Sequence, residues 1–221
     1  MPYGKKKSNE KLGKYYRFKK KDSLAIKALK MAHNVRQLIN VEFKKKDTTG
    51  DDVAVTQAGA VVLLNGIAEG TDFNERVGRS IKIQSLLAKV AITQNSLDSG
   101  TVGAICRVML IIDKKPAGGA PTVNDILDAS GTSQYLAPRN LNNRNRFVIL
   151  RDEYCEVGTG YKQECIHLKE YKNMNMHTIY TGATSGIASI EENSLYLLLI
   201  GSRATNTPSA DYFCRIRYTD N

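Results

Sequence analysis

The chain has 221 residues, enough for one large domain or two small ones, and 32 Lys and Arg against 22 Asp and Glu leave it at +10. It holds no run of about 18 apolar residues, which excludes a helical membrane span. The N-terminus is charged from Lys5, with no apolar stretch before a small-residue cleavage site, so it does not read as a secretory signal.

The charge is concentrated. Lys5, Lys6, Lys7, Lys11, Lys14, Arg17, Lys19, Lys20, Lys21, Lys27, Lys30 and Arg36 face only Glu10 and Asp22, so the first 36 residues hold the whole +10 and the other 185 balance to zero. Residues 1–22 cannot bury enough apolar surface to fold alone and are expected to be disordered when free. Their lysines neutralise phosphates and release counterions whatever the base sequence. Tyr15, Tyr16 and Phe18, set among Lys14, Arg17 and Lys19–Lys21, offer flat faces for unpaired bases. Solubility alone would be served by charge spread over the body. The same lysine clusters also fit a nuclear-import receptor.

From Asp22 or Ser23, either a suitable N-cap, Leu24, Ala28, Met31, Val35 and Leu38 recur at steps of four and three, and a helix is expected over 23–38. Lys27, Lys30, Asn34 and Gln37 lie off that stripe. The stripe can pack under its own domain or against the same helix of neighbouring subunits. A membrane-surface role is disfavoured, because the apolar face holds no Trp or Phe.

Beyond the helix the period changes to two. Strands are expected at 39–44, 53–56, 60–64, 81–93 (one long strand or a pair), 104–113, 146–151, 163–172, about 177–181, 194–202 and 211–219. Turns are expected around 49–52, at Asn65-Gly66 and over 95–103, loops at 65–79, 114–121 and 128–145, and a short helix capped by Thr122. Many strands with few helices point to an all-β sandwich or barrel and exclude the alternating α/β classes. The organisation expected is an arm over 1–38 and a β domain over 39–221.

The chemistry-bearing motifs are sparse. Cys106, Cys155, Cys165 and Cys214 form no C-x-x-C pair and are expected as reduced, structural thiols. No G-x-x-x-x-G-K, H-E-x-x-H or G-x-S-x-G occurs, and Gly158-Thr159-Gly160 lacks a third glycine, so no enzymatic role is expected. Arg215 and Arg217, alternating with apolar residues on the last strand, either pair with nearby acids or line a wall that touches nucleic acid. Arg144, Arg146 and Arg151 are expected in subunit contacts or ion pairs. Asp51-Asp52, Glu153 with Glu156, and Glu191-Glu192 could share a structural calcium between subunits, though nothing in the sequence specifies it.

The order of the motifs carries a resemblance. After the basic arm and helix come Leu64-Asn65-Gly66-Ile67, Arg76-Val77-Gly78-Arg79, Arg107 to Asp113, Thr122 to Leu127, Asn143 to Asp152 and a last strand ending Tyr218-Thr219-Asp220. This order resembles the single jelly-roll coat proteins of small circular, Rep-encoding single-stranded DNA viruses. It is also similar to the coat proteins of satellite tobacco necrosis virus and its relatives, which package RNA. The resemblance implies an eight-stranded jelly roll of two packed four-stranded sheets. It further implies self-assembly into the smallest icosahedral shell (T=1, about sixty copies), with the arm inside on a single-stranded genome, DNA first and RNA as the alternative. It also suggests that the 23–38 helices associate between subunits. Such a protein resides in the virion, and in the host nucleus or cytoplasm during assembly, without membrane insertion. The competing expectation is a cellular all-β nucleic-acid-binding module with a basic tail. That module would need a stripe of exposed Lys, Arg and aromatics across a sheet, whereas these strands read as apolar on both faces or neutral.

Overall fold

The computed structural model describes residues 23–38, 43–94, 103–129, 134–158 and 165–220. The chain divides into two units, Met1–Glu42 and Phe43–Asn221.

In the first unit the described element is α1, Leu24–Leu38. Ser23 opens it: the Ile26 amide donates to Ser23 Oγ at 3.4 Å and the Lys27 amide to the Ser23 carbonyl at 3.0 Å. Leu24, Ala28, Met31 and Val35 are exposed along the expected stripe. Ile26 and Leu29 are exposed as well and lie on other sides of the helix, so the apolar surface is broader than one seam. The Leu38 side chain lies outside the described ones.

The second unit contains β1 (Phe43–Ala54), β2 (Ala60–Leu63), β3 (Ser80–Thr93), β4 (Ala104–Asp113), α2 (Val123–Ile126), β5 (Phe147–Val157), β6 (Cys165–Tyr180), β7 (Ile190–Glu192), β8 (Ser194–Gly201) and β9 (Ser209–Asp220). Antiparallel pairs nest: β4 with β5, β3 with β6, β2 with β8, β1 with β9. This is one long hairpin ribbon folded at the β4–β5 connection. Rolling the ribbon up adds β3 against β9 and β4 against β8. The result is two sheets, β1-β9-β3-β6-β7 and β2-β8-β4-β5, the strand order of a jelly roll. The expected eight strands are joined by a ninth, the three-residue β7, which lengthens one sheet beside the end of β6.

The sheets pack through Ile81, Ile83, Leu86, Val90 and Ile92 of β3, Val108 and Leu110 of β4, Leu195, Leu197 and Leu199 of β8, and Ile216 and Tyr218 of β9. The four-stranded sheet is also covered on its outer side, where Met109, Ile111, Leu198 and Ile200 pack with Val123, Ile126 and Leu127 of the α2 segment and with Ala137 and Phe147. All of β8 is therefore buried, which is why Leu195–Ile200 reads as one apolar run rather than an alternation. α2 is held by a capping box: the Thr122 side chain accepts from the Asp125 amide and the Asp125 carboxylate accepts from the Thr122 amide.

Two expected boundaries moved. The turn signals at 49–52 mark a bulge within β1, where the register against β9 shifts between Gly50 and Val53 and Asp52 takes φ 51°. Turn-prone residues serve a bulge as well as a loop, because both need a left-handed residue. A Cβ at Gly50 would sit 2.3 Å from the Tyr212 ring, so a larger residue there would have to push that ring aside. The expected break near 173–176 is absent: β6 continues to Tyr180, with Asn175 at φ 50° absorbing the register shift opposite Ile83 and Ser85. Residues 39–42, expected as strand, lie outside the described residues.

Candidate nucleic-acid interface

Strand alternation and pairing register determine which side chains share the outer side of the five-stranded sheet. In β9 Cys214, Ile216 and Tyr218 point into the core, so Phe213, Arg215 and Arg217 point out. In β3 Ile81, Ile83, Ala88 and Val90 point in, so Lys82 and Lys89 point out. Pairing then sets Lys45 opposite Arg217, Asp47 opposite Arg215 with Leu87 and Tyr171 beyond it, and Phe213 opposite Lys89 and then Lys169. Among described residues the middle of this side carries Lys45, Lys82, Lys89, Lys169, Arg215 and Arg217 against Asp47, while Asp51, Asp52 and Asp211 gather at the β1 bulge and Glu191 and Glu192 stand on the edge strand β7. The stripe of bases and aromatics that the strands did not appear to contain is therefore present. Each strand contributes only two or three of its members, so no single segment reads as basic.

The two arginines foreseen on β9 differ. Arg215 donates from Nε to Asp47 Oδ1 at 2.6 Å and from Nη2 to Oδ2 at 2.8 Å, and its guanidinium carbon lies 5.2 Å from the Phe213 ring centre. Those hydrogen bonds, with the nearby Lys45 ammonium, hold the Asp47 carboxyl below its ordinary range. Arg215 thus takes the ion-pair alternative, while Arg217 is exposed and makes no ion pair with any described residue. Around Arg217 lies a concavity of about 750 Å³ lined by Phe43, Lys45, Phe73, Gln84, Tyr171 and Arg215, among others. Phe43, Phe73 and Tyr171 are 63%, 53% and 58% exposed. A second hollow of about 380 Å³, further along the sheet, is lined by Lys89, Lys169, His167 and Phe213 among others.

The remaining foreseen residues fall as follows. Lys27 and Lys30 lie on α1, half-buried. Lys5, Lys6, Lys7, Lys11, Lys14, Tyr15, Tyr16, Arg17, Phe18, Lys19, Lys20 and Lys21 lie outside the described residues. Arg146 pairs with buried Asp113 at 2.7 Å, and Arg151 with Glu153 and, at 3.4 Å, Glu170. Cys106, Cys155 and Cys214 are buried, free thiols, and burial pushes Cys214 up to about 12. Among the described residues no group of three or more His, Cys, Asp or Glu is placed to hold a metal ion. No described helix is long and apolar enough to cross a membrane.

The family model described as satellite tobacco necrosis virus coat protein matches residues 18–221. The chain belongs to that family. It is 30% identical over 196 residues to the coat protein of Satellite tobacco necrosis virus 2, covering 86% of this chain and 93% of the relative. It is 28% identical over 192 residues to the capsid protein of Satellite tobacco necrosis virus 1, covering 84% and 91%. Among solved structures, one of Desmodium yellow mottle tymovirus aligns at 11% identity and TM-score 0.35 over 81% of this chain and 87% of that one. The protein is a viral coat protein, a virion component and not an enzyme. The matches fall on the satellite-virus side of the resemblance, and nothing among them supports a circular, Rep-encoding DNA virus.

Proposed function

We propose that the protein assembles into a T=1 shell of about sixty copies and packages a single-stranded genome through its basic N-terminal arm. The observation that carries this reading is the charge asymmetry: the first 36 residues hold +10 and the jelly-roll body nets zero. Sixty arms at ten charges each supply about 600 positive charges, enough to neutralise much of a genome of about one to two thousand nucleotides. Lys5 to Lys21, Lys27 and Lys30 contact phosphates, and Tyr15, Tyr16 and Phe18 stack on bases. Leu24, Ala28, Met31, Val35 and Leu38 join arms of neighbouring subunits. Residues 1–38 act as the genome-binding arm and 39–221 as the shell. Membership in the satellite-virus family favours RNA over DNA, and the nuclear-import reading, which rested on a DNA genome copied in the nucleus, loses its motive.

The test is deletion of residues 1–22. Shells of unchanged size should form with little nucleic acid, read from the ratio of absorbance at 260 and 280 nm. Unchanged packaging after the deletion would refute the arm's role, and nuclease treatment of wild-type contents distinguishes RNA from DNA.

A further inference from the structure

We infer that the outer side of the five-stranded sheet is a second binding site for single-stranded nucleic acid, separate from the arm. Lys45 and Arg217 hold phosphates there, and Phe43, Phe73 and Tyr171 stack on unpaired bases. The inference rests on the packaging role above and adds a site on the folded body.

The argument begins with charge. The body is neutral overall, yet the bases gather along the middle of this side, on Lys45, Lys82, Lys89, Lys169, Arg215 and Arg217, while its acids other than Asp47 stand toward the ends, at Asp51, Asp52 and Asp211 by the β1 bulge and at Glu191 and Glu192 on β7. Asp47 is committed mainly to Arg215 and stands 3.7 Å from Lys45. Arg217, Lys82, Lys89 and Lys169 make no ion pair with any described residue. Cations on an edge strand such as β1 discourage strand addition by another chain, and Lys45 can serve that purpose. That need does not reach Lys82 and Lys89 on β3 or Arg217 on β9, which have strands on both sides.

The second observation is the aromatic set. Phe43 comes from the start of β1, Phe73 from the loop before β3 and Tyr171 from β6, and all three surround one basic concavity. Exposed rings cost free energy unless something covers them, and a base covers a ring at about 1–3 kcal/mol without regard to its identity. Gln84 and Asn173, in the same concavity, offer amides to base edges or sugar. From Lys82 to Lys89 the basic track extends about 24 Å along β3, long enough to follow several phosphates. The concavity itself is lined by Lys45, Arg215 and Arg217 with no acid in its lining, so a polyanion fits it.

The probe is the packaged particle itself, together with a labelled oligouridylate bound to the full chain. Ultraviolet cross-linking of wild-type particles, followed by peptide mass spectrometry, should place nucleotides on peptides carrying Tyr171, Phe73 or Phe43. In the full chain, Lys45→Gln with Arg217→Gln should lower the salt dependence of oligouridylate binding by about 1.4 in log–log slope, from two lost phosphate contacts. Tyr171→Leu should weaken binding about tenfold with little change in slope. Cross-links confined to residues 1–36, with the slope unchanged in the double variant, would overturn the site while leaving the arm's role intact. Wild-type particles empty of nucleic acid would overturn the packaging role itself. Loss of shell formation with an unchanged slope would identify this side as a subunit contact and overturn the inference.

Discussion

Arg107 is the side chain whose removal the structure prices most directly. It sits on β4, 4% exposed, beneath the segment that covers the four-stranded sheet. Its Nε and Nη2 donate to the two oxygens of Asp152 at 2.7 Å each, and Nη1 donates to the carbonyls of Tyr135 at 3.1 Å and Ala137 at 2.7 Å. The guanidinium carbon also lies 5.0 Å from the Tyr154 ring centre. Arg107→Met keeps most of the apolar stem and removes all four hydrogen bonds. The Asp152 side chain is 30% exposed and can rehydrate, so its loss is small. The loop carbonyls cannot rehydrate as easily, and a buried acceptor left bare costs about 1–3 kcal/mol. Together with the lost charge-assisted bonds, the total is about 3 kcal/mol, at the lower edge for breaking a buried ion pair. With a urea m-value of about 2 kcal/mol per molar, the midpoint should fall by about 1.5 M. The assay is urea denaturation at dilution where light scattering shows dissociated subunits. Asp152→Asn leaves the loop carbonyls bonded and one amide oxygen for the guanidinium but removes its counter-charge, so it should cost about 2 kcal/mol. If Asp152→Asn costs as much as Arg107→Met, or if the Arg107→Met midpoint falls by less than about 0.3 M, the reasoning about the loop carbonyls is wrong.

Two further outcomes follow from local geometry. At Gly201 a Cβ would lie 2.2 Å from the carbonyl oxygen of Val55, which is backbone and cannot swing away. Gly201→Ala should therefore lower stability by about 2 kcal/mol or more, and a thermal melt indistinguishable from wild type would contradict the close approach. Asp47 has its carboxyl held below the ordinary value of 3.8, chiefly by hydrogen bonds from Arg215. A carboxyl lowered in the folded state stabilises fully above its unfolded pKa and loses that contribution as pH falls through the folded value. The stability gap between wild type and Asp47→Asn should thus be constant above about pH 4.5 and shrink below it. A gap that persists to the lowest pH at which the protein folds would exclude the Arg215 pair as its source.

How much could be read from the chain depended on whether the signal was local. β4 and β8 were legible because burial on both sides makes their residues continuously apolar, and α1 and the Thr122 cap of α2 because their signals lie within one or two turns. β1 was misplaced because Thr49 to Asp52 have turn chemistry, and a bulge uses the same residues; only the pairing with β9 distinguishes the two. The ion pair between Arg215 and Asp47 joins residues 168 apart in sequence, and no local rule connects them.

The charge asymmetry was determined by the sequence alone, since charge is additive and needs no fold to be counted. The β class followed as well, because alternation is local. Tertiary structure decided which alternate residues share a side. Lys45, Lys82, Lys89, Lys169 and Arg217 come from four strands that become neighbours only when the ribbon rolls up and sets β9 between β1 and β3. Rolling also covers one sheet twice and leaves the outer side of the other to its lysines, arginines and rings.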